Sequence, residues 1–216
     1  KMANSTASVM AFLNDLATQV KPQAEQEFAE LQAFAQNELA MESLNPWDIA
    51  YVSEKLRTQR YAISVEELRP WFPTERVING LFSIAGRLFD ISIEEDSSAA
   101  LWHKDATFYR ISRKGQVIAS FYLDLYAREK KQGGAWMDVC RSRRKVQSGM
   151  QLPVAYLTCN FTPPVGDKPA LLNHNEVTTL FHEFGHGLHH MLTQVEVLDV
   201  SGINGVAWDA VELPSQ

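Results

Sequence analysis

Several things are scarce in this sequence of 216 residues, and each scarcity closes off a class of protein. Two cysteines, Cys140 and Cys159, cannot build a disulfide framework. No apolar run approaches the length needed to cross a bilayer, and no signal-peptide pattern opens the chain, so a reducing cytoplasm is the expected compartment and no membrane partner is expected. Positive charge is in deficit: the formal net charge is −6, which argues against a nucleic-acid surface. The local basic run from Arg141 to Lys145 reads as a solvated loop rather than a polyanion site. Internal repeats and low-complexity tracts are missing as well, leaving an ordinary globular composition with enough chain for one large domain or two small ones.

Histidine is also sparse, yet five of the six lie between Asn173 and Leu192. Asn173 followed three residues on by Glu176 has the form of a capping box and predicts a helix start. Val177, Leu180, Phe181, Phe184, Leu188, Met191 and Leu192 recur at helical spacing as a buried stripe. His182 and His186, four apart and off that stripe, share one helical face about 6 Å apart, close enough to grip one metal ion. Glu183 stands between them in the order His-Glu-Phe-Gly-His, an arrangement in which two imidazoles bind zinc and the carboxylate serves as general base toward metal-activated water. Zinc, one ion, is the expected cofactor, although cobalt or manganese would accept similar ligands. His189 and His190 follow closely enough that one of them could face the same cavity, whereas His174 in the first turn reads as structural.

A catalytic zinc needs a third protein ligand from another segment. Past the helix, the glycine-rich loop Val200–Gly205 can turn the chain back, and Glu212 is the best candidate beyond it. Glu196, Asp199 and Asp209 remain alternatives on spacing alone. Asp209, one helical turn before Glu212, could instead accept a hydrogen bond from the far nitrogen of a ligating imidazole.

The region from residue 1 to 90 reads as helical, and 91 to 216 as a small sheet followed by the metal-binding helix, giving an α+β, mostly helical protein. Helices are predicted at Ser5–Val20, after Pro22 through Leu39, after Asn45-Pro46, after Ser64 and at Val77–Phe89, the first two forming an antiparallel hairpin. Strands are predicted at Ile91–Glu94, Thr107–Ser112, Val117–Tyr126 and Val154–Phe161, with a hairpin turn at Arg113–Gln116 and loop from Ala127 to Leu152. If Val154–Phe161 lies at a sheet edge beside the metal, Ala155, Tyr156 and Leu157 could hold an extended peptide by main-chain hydrogen bonds. Gly202 and Gly205 are further candidate substrate contacts.

The stretch TLFHEFGHGLHHML, with SGINGVAWDAVELPSQ behind it, resembles the thimet oligopeptidase family. LRPWFP, NGLF, SFYLDLYAREKKQGGAWMD, PVAYLTCNF and KPALLNHNEV extend the likeness over essentially the whole chain. The resemblance implies a zincin-like catalytic core in which His182, His186 and Glu212 bind zinc and Glu183 is the base, with short peptides as substrates. Family members are longer, and their downstream tyrosine and histidine side chains, which stabilise the oxyanion, have no counterpart here. A central fragment of one catalytic domain is therefore expected. Two other functions fit the motif: a zinc amidase on non-peptide substrates, and a metal-holding folding or interaction module without turnover.

Overall fold

The computed structural model describes residues 2–62 and 64–216, with the backbone but not the side chain of Val65. It divides into two compact units, residues 1–68 and 69–216.

In the first unit, α1 runs unbroken from Thr6 to Leu39, with Pro22 inside it, so the expected pair of helices and the hairpin between them do not form. An interior proline costs about 3 kcal/mol. The residues around Pro22, from Thr18 through Glu27, include glutamine, glutamate, alanine and lysine, which favour helix, and no glycine or asparagine that would make a turn. Ser5 caps the start, its hydroxyl accepting from the Ser8 amide at 3.2 Å. Leu31 and Ala35 of α1 pack on Val52 of α2 (Ile49–Tyr61), with Phe34, Leu39 and Leu56 around them. A short helix α3, Val65–Leu68, starts at Ser64 as expected, its hydroxyl accepting from the Glu67 amide while the Glu67 carboxylate accepts from the Ser64 amide.

The second unit holds α4 (Thr74–Phe89), seven strands and α5 (His174–Met191). Thus α4, expected with the helical region, packs with the sheet: Val77, Leu81 and Ala85 meet Phe121, Leu123 and Ile111 in one core. The strands are β1 (Ser92–Glu95), β2 (Ala106–Arg113), β3 (Gln116–Tyr126), β4 (Trp136–Arg141), β5 (Arg144–Val146), β6 (Gly149–Gln151) and β7 (Val154–Phe161). Five form a mixed sheet in the order β1-β2-β3-β7-β4, parallel only between β3 and β7. Period-two alternation puts Ala119, Phe121, Leu123 and Leu125 of β3 and Ala155, Leu157, Cys159 and Phe161 of β7 into the core, where Leu180, Phe184 and Met191 of α5 cover them.

Two corrections follow from this order. The segment Ala127–Leu152, expected to be loop, contributes β4 and the β5–β6 hairpin. Its strands are short and carry Asp138, Arg141, Arg144 and Lys145, which an edge or two-stranded ribbon tolerates because one side stays in water. In turn β7, expected as a possible edge, is interior, hydrogen-bonded to β3 on one side and β4 on the other. The main chain of Ala155, Tyr156 and Leu157 is therefore committed to neighbouring strands, and the free edge beside α5 belongs to β4.

Both cysteines are free: Cys140 is exposed and Cys159 buried, where burial first, and the Glu183 charge second, push its thiol up to about 12. On the other face of the sheet Asp124 accepts from Arg128 at 2.7 and 2.8 Å, from Lys131 at 2.9 Å and from the Trp102 indole at 3.0 Å. Burial alone would raise its carboxyl, but these hydrogen bonds outweigh that and hold it well below the usual carboxylate range.

Because the Lys131 side chain is only 6% exposed, Asp124→Ala should leave a buried unpaired ammonium and cost about 3–5 kcal/mol in urea denaturation. The lowered carboxyl means this contribution is present above about pH 3.9 and fades as pH falls, so the gap between the two proteins should narrow in acid.

Candidate metal centre

The capping box at the start of α5 forms as the sequence predicts: Asn173 Oδ1 accepts from the Glu176 amide at 2.9 Å and Glu176 Oε2 from the Asn173 amide at 2.8 Å. This fixes the phase of the helix. His182 and His186 then lie side by side with ring centroids 4.8 Å apart, edge to face. Glu212 arrives from the last segment and places Oε2 3.3 Å from His182 Nε2 and 3.2 Å from His186 Nε2. All three donor atoms fall within 4.8 Å of one another. A tetrahedral centre with bonds of about 2.0–2.1 Å separates its donors by about 3.3 Å. The carboxylate-to-imidazole spacings match that value, and two imidazoles with one carboxylate are a donor set suited to a first-row divalent metal.

How Glu212 gets there depends on Gly185, the glycine of His-Glu-Phe-Gly-His. A β-carbon at Gly185 would stand 2.7 Å from Ser215 Cα and 2.8 Å from the Pro214 oxygen, so the backbone of the last segment lies directly on the helix where a side chain would otherwise be. Ser215, itself buried, donates its single hydroxyl hydrogen principally to the Glu212 carbonyl at 2.8 Å, with Glu212 Oε2 sharing it at 3.2 Å. Neither the glycine's service as a contact surface nor the serine's grip on the carboxylate was found by sequence reasoning. A glycine inside an otherwise strong helix was the available signal, since it lowers helix stability and usually marks a close approach.

Glu183 is 8% exposed and lies beside the start of β4. Burial raises its carboxyl above the ordinary value, opposed by the neighbouring imidazoles of His182 and His186 and by a hydrogen bond from the Met137 backbone. The three donors and Glu183 open onto a cavity of about 520 Å³ walled by Trp136 and Met137 of β4 and by Ile203, Val206, Trp208 and Val211 after the helix.

The remaining candidates lie elsewhere. Asp209 is exposed and outside the cavity wall, and His186 Nδ1 has no hydrogen-bond partner, so Asp209 does not hold that ring. Glu196 faces Arg143 at 3.7 Å instead of the metal site. Gly202 and Gly205 do not line the cavity; Gly202 backs onto His190, whose Nδ1 would be 2.4 Å from a β-carbon there. His190 is wholly buried, donates from Nε2 to the Arg141 carbonyl at 2.9 Å, and burial, the largest influence, pushes its pKa below the ordinary imidazole value. His189, also lowered chiefly by burial, is outside the cavity too, and His174 is exposed in the first turn. Tyr156 belongs to a cluster of rings with Tyr122 and Trp102 on the opposite face of the sheet.

Compared with known proteins, residues 1–216 match the family model described as peptidase family M3. The chain is 57% identical over 218 residues to a protein named oligopeptidase A from Haemophilus influenzae, 34% identical over 218 residues to a dipeptidyl carboxypeptidase from Escherichia coli, and 31% identical over 231 residues to saccharolysin from Saccharomyces cerevisiae. Each match covers 100% of this chain but 32% of the relative, so the chain spans about a third of their length.

His182→Ala or His186→Ala should abolish stoichiometric zinc binding after reconstitution, because two donors remain; undiminished zinc in both would show that the metal sits elsewhere. Gly185→Ala keeps all three donors yet forces the Pro214–Ser215 backbone off the helix. Its zinc affinity, read by chelator competition, should fall about 10–100-fold.

Proposed function

The chain belongs to peptidase family M3, and from that premise we propose that it carries the zinc-binding, zincin-like core of an endopeptidase that hydrolyses internal bonds of short peptides. The observation that carries this reading is the convergence of His182, His186 and Glu212, with Glu212 Oε2 3.3 and 3.2 Å from the two imidazole nitrogens, on a cavity that Glu183 also lines. In this reading His182, His186 and Glu212 are the ligands and Glu183 is the base.

When bound, zinc supplies Lewis acidity at neutral pH, polarising a carbonyl and lowering the pKa of water to about 7. The chain's own residues do the rest. The Glu183 carboxylate, partly stripped of water and therefore a stronger acceptor than an exposed one, takes a proton from the attacking water and can return it to the departing amine. Ser215 steadies Glu212, and Gly185 allows the approach, so the ligand geometry does not have to be reorganised during the reaction. Beside them β4 offers an unpaired edge on which an extended peptide could add as a strand, held by main-chain hydrogen bonds that ignore side-chain identity. The role first assigned to Ala155–Leu157 thus passes to the Trp136–Arg141 edge.

Names of relatives support the endopeptidase reading over release of terminal dipeptides: identity is 57% to the oligopeptidase and 34% to the dipeptidyl carboxypeptidase. Because relatives are about three times longer, turnover is best tested in the longest natural polypeptide that carries this sequence, with the 216-residue chain in parallel. Zinc binding without turnover in both would favour the metal-holding module, and cleavage of simple amides but not peptides would favour the amidase.

Glu183→Gln should retain stoichiometric zinc while losing about 10²–10⁴-fold in kcat on a quenched fluorogenic peptide. Activity that survives this change would assign the base to another residue.

A further inference from the structure

β7 lies between β3 and β4, and both the end of β3 at Tyr126 and the start of β4 at Trp136 sit at the carboxyl end of β7. The chain must therefore pass over the end of β7, a span of about 9–10 Å between the flanking strands. Residues 127–135 make this crossing without a helix or strand of their own. Its first half is tied down by Arg128 and Lys131, both bound to Asp124, with Lys131 Nζ also donating to the Tyr126 carbonyl at 2.9 Å.

The second half contains Gly133 and Gly134, the segment with the greatest backbone freedom, Gly134 standing at φ +95°. The Asn160 side chain holds it. Asn160, on β7 beneath the crossing, donates its two amide hydrogens to the Gln132 and Gly134 carbonyls, each at 2.7 Å, bracketing Gly133. The next residues, Ala135, Trp136 and Met137, form one wall of the metal cavity that Glu183 also lines. Asn160 itself is half-buried and does not line that cavity, so any influence on the site passes through these residues.

We propose that Asn160 is a positioning residue of the peptide-binding edge: by pinning the Gln132–Gly134 crossing it fixes where β4 meets the metal cavity, and hence how firmly an extended peptide is held. This rests on the peptidase reading above, in which β4 is the strand that receives the substrate. A carboxamide that only stitched a distant loop would leave substrate handling untouched.

Asn160→Asp tests this, because it preserves shape while replacing both donor hydrogens with lone pairs facing two carbonyls. Asn160→Gln, which keeps the donors on a longer arm in a half-open site, serves as rescue. In the longest natural polypeptide carrying this sequence, loaded with zinc, the aspartate variant should keep full zinc stoichiometry, raise KM for a quenched peptide about tenfold and leave kcat within a few-fold. Amide exchange at residues 134–137 should accelerate, and the glutamine variant should lie between. Faster exchange with an unchanged KM would overturn the proposal, showing a pinned loop that does not govern the site; unchanged exchange would overturn it at the first step. If the unsubstituted protein cleaves no peptide, the peptidase reading fails, and the exchange comparison alone decides whether Asn160 places the strand.

Discussion

The site depends on a contact between two backbones. Glu212 can stand within 3.3 Å of two imidazoles only because the segment that carries it lies directly against α5, and it lies there only because residue 185 has no side chain. Helix and strand propensities play little part in that approach. The last residues form a single turn of 3-10 helix at Leu213–Ser215, too short to be stable alone, and their position is set by what they touch. A bound cation would draw on the same contact from the other side, since the energy of coordination is shared with ordering the segment that supplies a ligand.

The second constraint is the sheet order. By inserting β7 between β3 and β4, the fold pairs this apolar strand on both sides and leaves the more polar β4 at the edge nearest Glu183. One strand thus serves two neighbours: its first residues share the cavity wall with Glu183, and its outer side has no strand paired to it. The apolar face of α5 is anchored on the sheet through Leu180, Phe184 and Met191, which holds the polar face carrying His182 and His186 toward the opening.

What could be read in advance was local. The capping box, the helix from Asn173, the four-residue spacing of the imidazoles and the turn at Lys114–Gly115 are each written in a few adjacent residues, and each forms. Glu212 emerged as the best of several acidic candidates, and its convergence with the histidines depended on a contact that spacing does not encode. Strand order was likewise invisible, because Val154–Phe161 has the same alternation whether it is interior or at an edge. The strand at Trp136–Arg141 was hidden by its charge, and the single helix through Pro22 by a rule that weighs one lost hydrogen bond above the propensities of its neighbours.

The two thiols occupy opposite situations on neighbouring strands. Cys159 is sealed under α5 with its thiolate strongly disfavoured, whereas Cys140 stands exposed on β4. Alkylating reagents act on thiolates they can reach, so a maleimide dye or spin label would discriminate between them without any engineered substitution. Within these 216 residues Cys140 is thus a single addressable attachment point, and it is on the strand whose movements matter most.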